Sequence, residues 1–446
     1  MQYARWATKE EIKERLYPVN QKEEVTTTGI PLMYDKDTMY IDTTRNHTLL
    51  IGATGSGKTQ TTILPIINLS IKAKESFFVI DPKGLLYKKV GKKLDEEGYK
   101  TTVIDLENTT LGNNWNPLTL AYQVYKEGNK DKAQDLIEEV GYYLFEDEKP
   151  NLSDPFWVNA TIGYFEGLAL YLFENYQEEE INLANIAKLS NKISEEGSKE
   201  FLNKIDKNSA IYLNLVTTLS APNETKGSIL SVFQQKIKPF ISRENLSNLL
   251  SKTDTNFKDI IAEKSAIFIV DGLSEVAKRL VPLYINQLIE SKNLYDDTKK
   301  PFNMLLDEFC CMLKMKNFAT VTGQARVLNI QMTVVVQNYQ QLISVYGKEE
   351  AEILKLCFGN ILYLLSNDIY SLEEISKMCG EVSKDVPLIT IEELKTMRQF
   401  EAIVLMPRIY PYRTKLTPSY KLDWGYEVEE TEVPKRNIVE ISYIDE

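Results

Sequence analysis

The sequence predicts an α/β fold in which a mainly parallel sheet flanked by helices is interrupted by an all-helical insertion. Three observations carry this. Short apolar, β-branched runs alternate with Lys-rich amphipathic stretches on both sides of residues 118–221, the pattern of repeated βαβ units. The stretch 118–221 offers no convincing strand but repeats apolar residues at helical spacing, as at Phe156, Ala160, Tyr164, Leu168, Tyr171 and Leu172. The charge breaks at the same places. Of a net −12 over 446 residues, segments 1–117 and 222–422 hold +1 and +2, whereas 118–221 holds −9 and 423–446 holds −6. The expected organisation is therefore a discontinuous domain of residues 1–117 and 222–422, an all-α inserted domain over 118–221 and an acidic C-terminal tail over 423–446.

Composition bounds what such a chain does. At 43% hydrophobic and 26% charged residues it is globular, and its length is too great for one ordinary domain. No apolar run approaches the roughly 18 residues of a membrane span, and the N-terminus lacks the apolar core of a signal peptide. A soluble chain with reduced core thiols at Cys310, Cys311, Cys357 and Cys379 is expected, since these four make no C-x-x-C pair. The only histidine is His47. Ser-His pairs and His-rich metal sites are thereby excluded, leaving carboxylates, Lys, Arg and backbone groups to do any chemistry. The acidic total argues against a nucleic-acid binder, but the segment charges confine the excess to the insertion and the tail.

The first strand, Thr48-Leu49-Leu50-Ile51, runs into Gly52-Ala53-Thr54-Gly55-Ser56-Gly57-Lys58-Thr59, a complete G-x-x-x-x-G-K-[ST] match. Its glycines let successive backbone N–H groups wrap a phosphate, and the helix that follows adds its N-terminal dipole. Nucleotide binding by Thr54, Gly55, Ser56, Gly57, Lys58, Thr59 and Gln60 follows, with Lys58 reaching the β and γ phosphates and the Thr59 hydroxyl serving Mg²⁺. Pro65 should kink or shorten that helix. The next strands are Phe77-Phe78-Val79-Ile80 and Thr101-Thr102-Val103-Ile104. After the insertion come Ala266-Ile267-Phe268-Ile269-Val270, Met304-Leu305-Leu306, Met332-Thr333-Val334-Val335-Val336 and Ile361-Leu362-Tyr363-Leu364-Leu365.

The strand over Met304–Leu306 ends in Asp307-Glu308. Many strands end in an exposed acid, but coupled to the phosphate loop this pair suits hydrolysis, with Asp307 in the Mg²⁺ shell and Glu308 polarising the attacking water. Gln337 follows the strand Met332–Val336, where an amide can sense the γ-phosphate between the loop and the acids. Arg326 falls on an expected helix over 317–328. It is either a solvated helix residue or an arginine lent to a neighbouring subunit.

Together these residues resemble the type IV coupling proteins, the TraG/TraD-type ATPases of conjugative DNA transfer and type IV secretion. Beyond the phosphate loop, Ala4-Arg5-Trp6-Ala7-Thr8 is similar to the family's element ahead of the ATPase core. Asp81-Pro82-Lys83-Gly84, Asn116-Pro117-Leu118, Asp154-Pro155-Phe156-Trp157 and Leu305-Leu306-Asp307-Glu308-Phe309 resemble its successive landmarks. Gln337-Asn338-Tyr339-Gln340-Gln341-Leu342, Tyr346-Gly347 and Ile375-Ser376-Lys377-Met378-Cys379-Gly380 resemble its C-terminal motifs. The resemblance implies a RecA-like P-loop ATPase using ATP and Mg²⁺, assembled as a homo-hexamer that drives single-stranded DNA. Arg326 would be its finger, Gln337 its sensor, and the helical domain would meet relaxase and relaxosome proteins. It further implies a cytoplasmic location at the inner face of the membrane, next to the secretion channel. Two departures stand out. The family's membrane helices are missing, which points to a separate membrane partner or to a fragment, and Leu85-Leu86 replace an acid common after Lys83-Gly84. The alternatives are a DNA translocase of the FtsK/HerA type without a secretion role, and a substrate-docking receptor switched by nucleotide. Lys83, Lys88 and Lys89 are the nearest basic cluster for DNA, though an exposed Lys-rich helix face explains them equally.

Overall fold

The computed structural model of the protein describes residues 3–146 and 154–444. The chain forms two compact units, one from segments 1–101, 263–269 and 296–432, the other from 102–262, 270–295 and 433–446.

The first unit is built on the sheet expected from the apolar runs. Its strands are β4 (Thr48–Gly52), β5 (Ser76–Ile80), β7 (Ser265–Val270), β8 (Phe302–Leu306), β9 (Ile330–Val336), β10 (Asn360–Leu365), β13 (Glu401–Leu405) and β14 (Tyr412–Lys415), in the order β14-β13-β10-β4-β9-β8-β5-β7. The pairs from β10 to β7 are parallel, whereas β13 runs antiparallel to β10 and β14 to β13. Every residue of β4, β8 and β9 is buried. Helices cover both faces of a parallel sheet, so its strands read as unbroken apolar runs rather than alternating ones. β6 (Lys100–Asp105) carries the chain out of this unit. Lys100 N–H donates to the Lys264 carbonyl on the first side, and Leu106 N–H to the Val270 carbonyl on the second.

The antiparallel elements are those the sequence did not disclose. β1 (Tyr17–Val19), β2 (Ile30–Asp35) and β3 (Thr38–Asp42) form a small sheet in the order β1-β3-β2, and β11 (Glu381–Ser383) pairs with β12 (Val386–Pro387). Trp424 packs with Val19, Val25, Met39, Ile41 and Leu69, so the start of the acidic tail is part of this unit's core. Cys379 is buried but Cys310, Cys311 and Cys357 are partly exposed, and none of the four is in a disulfide. The expectation of four core thiols is corrected accordingly.

The second unit is mostly helical and takes in more of the chain than the expected insertion over 118–221. Its longest helix, Pro155–Asn175, starts on Asp154, whose carboxylate accepts from the Phe156 N–H. Gly167 lets it cross the helix Ala210–Leu219 closely, since a Cβ there would sit 2.6 Å from the Leu215 side chain. The helix Asn223–Ile241 buries Phe233 against Phe145 and Tyr164, with ring centroids 5.6 and 5.3 Å apart. A boundary at 221/222 would cut through this core. Residues 433–444 also belong here, held by the buried Arg436. Its guanidinium donates to the Thr109 and Asn245 carbonyls and to the Asn114 and Asn248 side-chain oxygens. The supposed tail is thus divided, 423–432 with the first unit and 433–444 with the second. Among the described residues no helix is long and apolar enough to cross a membrane.

Candidate functional site

The order β4-β9-β8 decides the site. Parallel strands end at the same edge, so the residues that follow β4, β9 and β8 converge there: the glycine loop, then Gln337, then Asp307-Glu308.

The loop leaves β4 at Gly52 and stays tied to the sheet by the Ala53 N–H, which donates to the Leu365 carbonyl. Gly55 and Gly57 have φ of 82° and 102°, the left-handed region that penalises a side chain. A Cβ on Gly52 would lie 2.5 Å from Ser56 Oγ, and one on Gly57 2.8 Å from the Phe400 ring. The curled backbone is therefore a close-packed cradle that only glycine completes. Lys58 is buried, its Nζ donating to the Gly52 carbonyl at 2.7 Å. Ser56 Oγ is buried in the same loop with no hydrogen-bond partner among the described residues. An unsatisfied hydroxyl and a buried ammonium in one curled loop are what an oxyanion ligand would satisfy.

Beyond the loop, Thr59–Ile63 is a π-helical turn, and the α-helix proper runs over Leu64–Ala73 with Pro65 in its first turn. The expected kink takes this form because Pro65 has no N–H to give. The Leu64 N–H reaches back five residues to the Thr59 carbonyl, and the wider turn absorbs the proline. Thr59 and Gln60 thus sit at the mouth of the cradle, partly exposed, and Thr54 is exposed.

Asp307 is buried at the end of β8, and its carboxyl is pushed up to about 6, first by burial and then by the charge of Glu308, against the pull of Lys58. Glu308 adopts a left-handed backbone, φ 49°, which swings its side chain toward β9. Gln337 Nε2 donates to Glu308 Oε2 at 3.1 Å, while the Gln337 N–H donates to Gln341 Oε1. The amide and the second carboxylate therefore form one unit, and the charge of Lys58 reaches the neighbouring Asp307 carboxyl.

Asp81, which closes β5, joins this edge in a role the sequence did not reveal. Its carboxylate accepts from the N–H groups of Leu85, Leu86 and Tyr87, capping the helix Leu85–Glu96, and its charge raises the Asp307 carboxyl further. Leu86 packs into the core while Leu85 stays exposed, so the two leucines in place of an acid belong to a helix start. The Lys-rich face of that helix is met by acids of the same unit, Lys88 by Glu432 and Lys92 by Glu429.

Arg326 is not in this cluster. It lies in the last turn of the helix Phe318–Val327, which leads into the start of β9, at the edge where His47 precedes β4. The five residues of β4 separate that edge from the glycine loop by roughly 16 Å. An arginine side chain does not cover this span within one chain.

A family profile described as type IV secretory system conjugative DNA transfer matches residues 1–386. No curated protein sequence matches the chain. Among solved structures, the plasmid coupling protein TrwB in complex with the ATP analogue ADPNP is similar over 97% of this chain and 96% of that one, with 14% identity and a TM-score of 0.67. TrwB in complex with ADP and Mg²⁺ is similar over 98% and 97%, with 14% identity and a TM-score of 0.65. VirB4 of Thermoanaerobacter pseudethanolicus is similar over 87% and 96%, with 14% identity and a TM-score of 0.54. At these identities the likeness is one of fold, a RecA-like α/β domain joined to a helical one.

Proposed function

This chain belongs to the type IV secretory system conjugative DNA transfer family, and from that premise we propose that it is an ATP-hydrolysing coupling protein. In this reading a ring of six copies moves single-stranded DNA, presented by relaxase and relaxosome proteins, toward the secretion channel at the inner face of the membrane.

The observation that carries the hydrolytic part is the 3.1 Å bond between Gln337 and Glu308, midway along an edge that has the glycine cradle on one side and Asp307 on the other. Glu308 is the acceptor for the proton of the attacking water, and Gln337 holds that carboxylate in place and responds to the terminal phosphate. Lys58 and the loop N–H groups neutralise the phosphate charge. The Mg²⁺ that ATP brings would be held by Thr59 and Asp307. Among the described residues no three acidic, His or Cys side chains cluster as a metal cage. That fits Mg²⁺, which keeps waters and binds through one or two protein ligands plus substrate phosphates. When bound, this ion polarises the transferring phosphoryl group. The TrwB complexes, one with an ATP analogue and one with ADP and Mg²⁺, support the same ligands here.

The test is the rate of ATP hydrolysis with and without single-stranded DNA, with particle mass measured alongside. Wild type should hydrolyse ATP, faster with DNA and in an oligomer. Glu308→Gln should bind ATP as wild type does and hydrolyse it about 10²–10⁴-fold more slowly. Absence of hydrolysis in every oligomeric state would end this reading.

A further inference from the structure

Two hydrogen bonds meet at the end of β9. Gln337 gives its side-chain amide to Glu308 Oε2 at 3.1 Å and its backbone N–H to Gln341 Oε1 at 3.0 Å. Cys311 Sγ approaches the same Glu308 oxygen only at 3.9 Å, so the amide is the donor that sets the carboxylate.

Gln341 stands third in the helix Tyr339–Tyr346, which opens on Asn338, and the Asn338 side-chain oxygen accepts from the Gln341 N–H at 2.9 Å. A Glu or Gln at that position ordinarily reaches back to the N–H of the capping residue itself, closing a reciprocal box. Thr8 with Glu11 and Thr390 with Glu393 show that arrangement in this chain, each glutamate accepting from the N–H of its threonine. Gln341 departs from it. Its oxygen passes over Asn338 and takes the N–H of the residue before, which moves the bond from the helix cap to the residue that touches Glu308.

The turn is also held from its other side. The Tyr339 N–H donates to Ser371 Oγ at 2.8 Å, and the Ser371 hydroxyl donates to Asp368, which caps the helix Ile369–Cys379 after β10. Tyr339 is thereby tied to the element after β10 and Gln337 to the acid after β8, with the Gln341 bond fixing the peptide where strand passes into turn. Gln341 borders a cavity of about 400 Å³, shared with Asn338, Cys310 and Asp368. With open space beside it, its amide is oriented by hydrogen bonds, and a carboxylate in its place has room for water.

We propose that Gln341 is a positioning residue for ATP hydrolysis: by holding the Gln337 backbone it keeps the Gln337 amide on Glu308, and that carboxylate aimed at the attacking water. The inference rests on the ATPase reading above. Reacting groups work only when neighbours lock their orientation, and a displacement of about 1 Å costs roughly 10²-fold in rate. Gln341 is no part of the glycine cradle, so its loss should fall on kcat and leave KM.

Gln341→Met, of similar length but without the acceptor, should lower kcat about 10–100-fold, with KM and the affinity for a fluorescent ATP analogue within about twofold of wild type. Gln341→Glu keeps an acceptor for the Gln337 N–H and should hold kcat within about threefold. In a Gln337→Ala background the amide is already gone, so Gln341→Met should add less than about twofold. Where Gln341→Met melts below the assay temperature, Gln341→Lys, which offers only donors, takes its place with the same expected loss. A wild-type kcat in the variant without an acceptor would overturn the inference and leave the ATPase reading intact. So would losses that simply add to that of Gln337→Ala, which would make Gln341 a helix cap and nothing more, or a Gln341→Glu as slow as Gln341→Met. A loss carried by KM and analogue affinity would give Gln341 to nucleotide binding and also overturn it. Only an inactive wild type would remove both.

Discussion

The site depends on single residues held against their ordinary preferences. Asp307 is the clearest case, because a carboxyl pushed up to about 6 binds its proton more tightly folded than unfolded. Its sign is therefore destabilising: folded protein loses stability as pH rises from about 3.9 to about 6, and above that the penalty is complete at roughly 3 kcal/mol. Asp307→Asn keeps an oxygen for the Glu308 N–H, which bonds Asp307 Oδ1 at 3.0 Å, and removes the charge. In metal-free and nucleotide-free protein this variant should melt above wild type at pH 8, with the gap closing toward pH 4. Equal melting at pH 8 would show that Asp307 is not penalised by its burial. The motif Asp307-Glu308 was legible in the sequence, as was the phosphate loop. The link from Glu308 to Gln337 was legible only as two residues that each follow an apolar run, because their contact depends on which strands are neighbours.

Among elements, the helix Leu85–Glu96 shows how a loop near the site is stabilised. Gly84 at φ 63° turns the chain, and Asp81 supplies the acceptor that the first N–H groups lack. Asp81→Ala should destabilise the first unit by about 1–2 kcal/mol, measured by thermal melting. It should also lower the pH at which Asp307 titrates, since a neighbouring charge is removed. A titration unchanged from wild type would separate the two carboxylates. Strand and helix runs in the parallel sheet were readable because burial on both faces removes polar interruptions. The antiparallel pieces were not, since β2, β3, β13 and β14 are short and mix buried with partly or, in β14, fully exposed positions.

At the scale of the molecule, the acidic C-terminus is structural rather than free. Arg436 is 4% exposed and makes four side-chain bonds, all to uncharged oxygens of the second unit. Arg436→Ala would leave those acceptors unpaired in the interior, at a cost of about 2–4 kcal/mol. The second unit should then melt earlier and be cleaved first by protease, with the nucleotide affinity of the first unit unchanged; coincident loss of both would contradict the division. Deleting 118–221 would not be an equivalent test, because it strips the helix Asn223–Ile241 of the core that buries Phe233. By itself the sequence determined the α/β class, the phosphate loop, the acid pair and the existence of a helical insertion, since each is written in local spacing and periodicity. The tertiary structure alone decided that Gln337 meets Glu308, that Asp81 caps a helix beside them, and that Arg326 falls at the opposite edge. Those placements relate residues far apart in the chain, and only strand order and direction bring such residues to one end of a sheet.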